Sequence, residues 1–192
     1  KWLSPKEARH VDRFVQFALV AADEAVKSSG LDVSKEDPYR LGCLWASGIG
    51  GLNEIERTHR IALEKGPRKI NPFFIPKLMV NAGAGQIAIR LGLQGPNYAA
   101  ASACASGNHA LGLALRTIQY GDADVMVCGG SEATVTMLGI GGFCALKALS
   151  ERNDDPKTAS RPFNLDRDGF VVGEGAGALV FDGDENGPAV GG

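Results

Sequence analysis

One short run in the sequence gathers residue types suited to covalent chemistry: Ser102-Ala103-Cys104-Ala105-Ser106-Gly107. It lies where an extended segment from Asn97 gives way to a segment of helical periodicity from Ala105. A residue at a strand-to-helix turn stands at the mouth of a sheet, with the unpaired amides of the helix's first turn aimed toward it. Such a terminus carries about half a positive charge and favours a thiolate, the nucleophilic form of cysteine. The small neighbours leave room for a bulky acyl group on Cys104 and for an oxyanion beside its amide. A cysteine packed under a glycine turn is the plainer alternative, and spacing alone leaves both open.

The remaining candidates are weaker. Cys43, Cys128 and Cys144 have strongly apolar surroundings and are read as buried reduced thiols. No Cys-x-x-Cys pair occurs and no histidine stands near, so no zinc site is expected. His10 and His59 fall on helical segments as surface residues. His109 follows Cys104 by five positions, which places it about 140° away around the same helix, a poor position for the thiol's base. The turn Gly173-Glu174-Gly175-Ala176-Gly177 imitates a phosphate loop, yet it joins two β-like segments instead of opening a helix. Glu174 is therefore read as structural, and no cofactor is implied.

The elements that must position Cys104 alternate along the chain. Ser4-Pro5-Lys6-Glu7 is a capping box, and apolar residues then recur at helical spacing to Gly30, predicting one amphipathic helix. Leu41 to Ala46 reads as a buried strand, Leu52 to Glu64 as a charged helix, and Lys77 to Leu91 as an apolar helix. Asn97 to Ala103 and Asp124 to Gly129 read as strands, with helices over Ala105 to Tyr120 and Leu138 to Leu149. Gly169 to Val172 and Ala176 to Asp182 predict two closing strands. Helices between continuously apolar strands imply an α/β fold with its sheet covered on both faces.

Composition agrees with an enzyme of this class. The 192 residues have the length of one domain, 44% are hydrophobic and 22% charged, so neither disorder nor a fibrous repeat is expected. A net charge of −2 offers no attraction to nucleic acid or an anionic membrane, and neither is expected as a partner. The opening Lys1-Trp2-Leu3-Ser4 is unlike a signal peptide and no apolar run spans a bilayer, predicting a cytoplasmic or organelle-matrix location.

Three motifs in order give a more specific indication. They are Ser102 to Gly107 preceded by Leu93-Gln-Gly-Pro-Asn97, the run Gly121-Asp-Ala-Asp-Val-Met-Val-Cys-Gly-Gly-Ser-Glu132, and Arg161-Pro-Phe-Asn-Leu-Asp-Arg-Asp-Gly-Phe-Val-Val-Gly-Glu-Gly-Ala-Gly-Ala-Leu-Val180. Together they resemble the β-ketoacyl-acyl carrier protein synthases, most closely the elongating class often called type II. The resemblance runs from about Leu3 to Phe181. It implies the amino-terminal half of a thiolase-like fold, a mixed sheet that lacks the family's first strand. Residues 1–182 would form that half and 183–192 a linker-like tail.

By the same resemblance, Cys104 accepts the acyl chain from a carrier-protein thioester. A malonyl-derived carbanion then attacks it to give a 3-oxoacyl product. Ile49, Phe74 and Phe143 line or approach the acyl pocket, Phe74 near the partner subunit's pocket, and Phe170 lies near the entrance. Without the resemblance, these side chains read as ordinary core. The implied partners are an acyl carrier protein bearing acyl and malonyl thioesters, and either a second copy or a carboxyl-terminal half. The family's two histidines and supporting lysine belong to motifs this sequence does not contain, which predicts a truncated or engineered half. The competing functions are a non-catalytic, self-associating scaffold and a cysteine hydrolase, the latter opposed by the lack of a positioned His-Asp pair.

Overall fold

The computed structural model describes residues 3–184 and 187–189. In chain order the elements are α1 (Pro5–His10), α2 (Arg13–Ser29), β1 (Leu41–Ala46), α3 (Leu52–Lys65), α4 (Phe74–Leu78) and α5 (Ala82–Leu91). There follow β2 (Asn97–Ala100), α6 (Ser106–Gln119), β3 (Val125–Glu132), α7 (Met137–Ala145), β4 (Gly175–Asp184) and β5 (Gly187–Ala189). The strands form one mixed sheet in the order β2-β1-β3-β4-β5. β2, β1 and β3 are parallel, and β4 and β5 close the sheet antiparallel.

The two apolar strands explain themselves through pleating. Along β1 and β3, Cys43, Trp45, Val125 and Val127 face one way and pack with Phe14, Val15 and Ala18 of α2 and Ile87 of α5. Leu44, Ala46, Met126 and Cys128 face the other way and pack with Ala110 and Ala114 of α6. With both faces covered, every position must be apolar, and the expected helix–sheet–helix layering is the layering observed. Gly129 shows how tightly neighbouring strands of the sheet are packed. A Cβ there would stand 2.2 Å from the Gly177 carbonyl oxygen and 2.9 Å from the Trp45 ring. Gly129→Ala is therefore expected to cost about 1–3 kcal/mol by overpacking, seen as a lower urea midpoint with unchanged slope.

Several boundaries differ from the sequence expectation, each for a tertiary reason. The capping box forms, with Ser4 N–H donating to Glu7 and Glu7 N–H to Ser4 Oγ, but the first helix is not continuous. It breaks at Val11-Asp12, where Asp12 turns extended, caps α2 through the Phe14 amide and accepts the Glu54 amide of α3. The helix expected over Lys77 to Leu91 breaks after Leu78, whose carbonyl is taken by the Gly51 amide. β2 ends at Ala100 instead of Ala103, β3 extends to Glu132, and α7 stops at Ala145. Gly169 to Val172 does not form a strand. Phe170 is tied through its amide to Ala148 and through its carbonyl to Ser150, an isolated bridge to the segment after α7.

Within the stretch expected to be a tail, Gly183 and Asp184 continue β4 and Gly187–Ala189 pairs with it. Residues 185, 186 and 190–192 lie outside the described residues. Among the described residues no helix is long and apolar enough to cross a membrane.

Candidate active site

Cys104 sits between the end of β2 and the start of α6, on a turn held in an uncommon conformation. Ala103 has φ 52°, the left-handed region that costs a residue with a side chain about 1–3 kcal/mol. A buried hydroxyl fixes it there. Ser106 Oγ donates to the Ala103 carbonyl at 2.7 Å and accepts the Ser102 amide at 2.8 Å, while the Ser106 amide reaches the same carbonyl at 3.1 Å. Ala105 caps α6 and Ser106 is its first residue, so Cys104 stands one residue before the cap.

The Cys104 side chain is exposed and faces a cavity of about 910 Å³. This lies within the roughly 300–1,000 Å³ common for small-molecule sites. Its walls come from the loop after β1, the first turns of α6, the ends of β3 and β4, and α7. Ile49 and Phe143 line it together with Cys104. Phe170 is not in the wall but meets the Phe143 ring edge-on, with centroids 5.1 Å apart. Phe74 opens α4, is half-buried, and also lies outside the cavity wall.

The other cysteines separate clearly. Cys43 and Cys128 are buried, and burial pushes both thiols up to about 12, with the neighbouring Cys128 adding to the effect on Cys43. Cys144, expected to be buried, is exposed. α7 carries Met, Leu, Ile, Phe and Cys around its length, yet Gly139 is its one buried residue among those described. Its sequence neighbours are apolar, but the face of α7 that carries Met137, Leu138 and Cys144 is exposed.

His109 bonds to Ser102 rather than to the thiol, Nδ1 to Oγ at 2.5 Å, and lines a second cavity of about 480 Å³. Asn108 borders both cavities, and Cys104 borders only the first. Glu174 is engaged structurally: it pairs with Arg13 and accepts the Val135 amide. Glu132, the last residue of β3, was not singled out from sequence. Its carboxylate accepts Ser47 Oγ at 3.0 Å and the amides of Gly48 at 2.8 Å and Ile49 at 3.1 Å. The sequence signal available was the Gly-Gly-Ser-Glu ending of its motif. Among the described residues no group of three or more His, Cys, Asp or Glu side chains is placed to hold a metal.

An exposed cysteine at a strand–helix elbow, opening on an apolar cavity, can form a covalent bond to a chain lodged there. Against known families, residues 1–186 match the model of the β-ketoacyl synthase amino-terminal domain. The chain belongs to the β-ketoacyl synthase family. It is 51% identical over 182 residues to the 3-oxoacyl-[acyl-carrier-protein] synthase 2 of Vibrio cholerae serotype O1, covering 95% of this chain and 44% of that protein. The synthase 2 of Staphylococcus aureus is 49% identical over 189 residues, covering 98% of this chain and 47% of the relative. The chain thus spans about half the length of the curated relatives it matches, and its match is to the family's amino-terminal domain.

Solved ketosynthases share the fold. A β-ketoacyl synthase from Burkholderia phymatum superposes with a TM-score of 0.83 at 31% identity, over 97% of this chain and 45% of that one. A type II polyketide ketosynthase, solved in complex with its acyl-carrier protein and bound to the hexaketide, gives 0.83 at 35% identity over 88% and 43%.

Proposed function

We propose that this chain carries the acyl-accepting half of a 3-oxoacyl-[acyl-carrier-protein] synthase, with Cys104 as nucleophile. The Cys104 thiolate attacks the carbonyl of an acyl thioester on a carrier protein. The carbonyl–sulfur bond breaks, the carrier thiolate leaves, and the acyl chain remains on Cys104 while its tail enters the cavity. The Cys104 amide is the candidate donor to the oxyanion formed during that step. Condensation completes the cycle: a malonyl thioester loses carbon dioxide, and the resulting carbanion displaces Cys104 to release a 3-oxoacyl thioester. The family's histidines for that second step lie outside this sequence, so condensation requires a carboxyl-terminal half. The uncovered apolar surface of α7 supports such a partner.

The observation that carries this reading is that Cys104 is the one cysteine lining the large cavity among the described residues. An apolar wall suits an acyl tail, since burying each methylene contributes about 0.8 kcal/mol. Incubation with an acyl-carrier thioester followed by peptide mass mapping tests it. The acyl adduct is expected on Cys104, with Cys43 and Cys128 unmodified. Cys144 is the internal control, being exposed but outside the cavity wall. Equal acylation of Cys104 and Cys144 would leave only the scaffold reading standing.

A further inference from the structure

We infer that Glu132 is a positioning residue that sets the shape of the acyl cavity by holding the Ser47–Ile49 loop against the Ala103–Cys104 turn. The inference rests on the reading of Cys104 as acyl acceptor and adds the residue that controls which chains reach it.

The loop after β1 has amides that no secondary structure pairs, and one carboxylate organises them. Glu132 Oε2 accepts the amides of Gly48 and Ile49, and Oε1 accepts the Ser47 hydroxyl. Ser47 Oγ in turn accepts the Gly50 amide at 2.9 Å. Three successive amides, from residues 48 to 50, thereby depend on a single side chain directly or through one hydroxyl. Bonds from amides to a carboxylate are roughly twice as strong as neutral ones.

The held loop lies beside the reactive turn, both lining the same cavity. A Cβ on Gly48 would stand 2.9 Å from Glu132 Oε2 and 3.7 Å from the Ala103 carbonyl oxygen. A side chain at residue 48 would meet the carboxylate first and would press on the bonds that hold the loop. Ser106 fixes that turn from the helix side, and the loop bounds it from the strand side. The next loop residue, Ile49, puts its side chain into the cavity wall with Glu132 itself. Releasing the carboxylate therefore moves Ile49 and widens or blocks the space available to a chain on Cys104. A displacement of about 1 Å at a reacting centre can cost up to about a hundredfold in rate.

The test compares Glu132→Ala and Glu132→Gln in the whole protein. The glutamine keeps a carbonyl oxygen for the two amides; the alanine keeps nothing. Amide exchange over residues 48–50 is expected to rise at least about tenfold in Glu132→Ala and to return most of the way in Glu132→Gln. Cys104 is then titrated with N-ethylmaleimide and N-dodecylmaleimide, which need no acyl transfer. The long-to-short rate ratio at Cys104 is expected to change about tenfold in Glu132→Ala, in either direction, with the short reagent little affected. Loading from short- and long-chain acyl thioesters should shift in the same sense. Unchanged exchange over residues 48–50, or an unchanged maleimide ratio, overturns the inference. Failure of the unsubstituted protein to load any acyl thioester while the maleimide ratio shifts would instead count against Cys104 as acyl acceptor and leave the cavity-shaping role of Glu132 intact.

Discussion

Replacing Glu54 by leucine is expected to lower the stability of the protein by about 3–5 kcal/mol, measured as the free energy of urea unfolding. Glu54 is 5% exposed at the start of α3, and Lys77 of α4, also 5% exposed, places its ammonium 3.5 Å from the carboxylate. Arg57 donates to both oxygens at 2.7 and 2.9 Å, and the Thr58 hydroxyl adds a longer bond. Without the carboxylate, Lys77 stays buried with its charge uncompensated, the costly way to break a buried pair. Lys77→Met should cost less, because Glu54 keeps Arg57, whose side chain is half exposed. The double variant should recover much of the loss, giving a coupling of about 0.5–3 kcal/mol in a double-mutant cycle. Additive losses would mean that the pair is not coupled.

The same cluster fixes a pH dependence. Burial, opposed by the amides of Phe14 and Glu54 and reinforced by the Glu54 charge, raises the Asp12 carboxyl above its ordinary value. Between the ordinary and the raised value the folded chain holds a proton that the unfolded chain has lost. This contribution to stability is complete below the ordinary carboxylate pKa and fades as pH rises through the folded one. Glu54→Leu removes the neighbouring charge and should narrow that window. The measurement is urea unfolding of both proteins across the acid range.

What the sequence made legible was local. β1 and the core of β3 are short apolar runs bounded by turn signals, as a doubly covered sheet requires, and α6 has an uninterrupted helical period. Cys104 stood out because the strand, the cysteine and the helix adjoin in the chain. The breaks at Asp12 and Leu78 were invisible because their causes are remote: an amide 42 residues away captures Asp12, and the Gly51 amide captures the Leu78 carbonyl. Glu132 was hidden for the same reason, its partners lying 83 to 85 residues earlier. Cys144 misled in the opposite sense, since apolar neighbours in sequence predict burial only when another surface meets them.

Cys104→Ser is expected to reduce acyl loading by about 10²–10⁴-fold while leaving the urea midpoint essentially unchanged. Serine fits where cysteine is exposed, so the fold loses little. The hydroxyl, unlike a thiol, has almost no anionic form near neutral pH and needs a base to attack a thioester. His109 is the histidine on the adjoining helix, but it bonds to Ser102 and faces the second cavity, so it is not poised to take that proton. The loss should therefore approach the full contribution a general base normally makes. His109→Ala supplies the complementary arm: loading on an intact Cys104 should change by less than about threefold, because the thiol does not depend on that ring. Substantial loading by Cys104→Ser that disappears on adding His109→Ala would show the imidazole reaching the site, and with it a Ser–His type of activation that the present geometry does not provide.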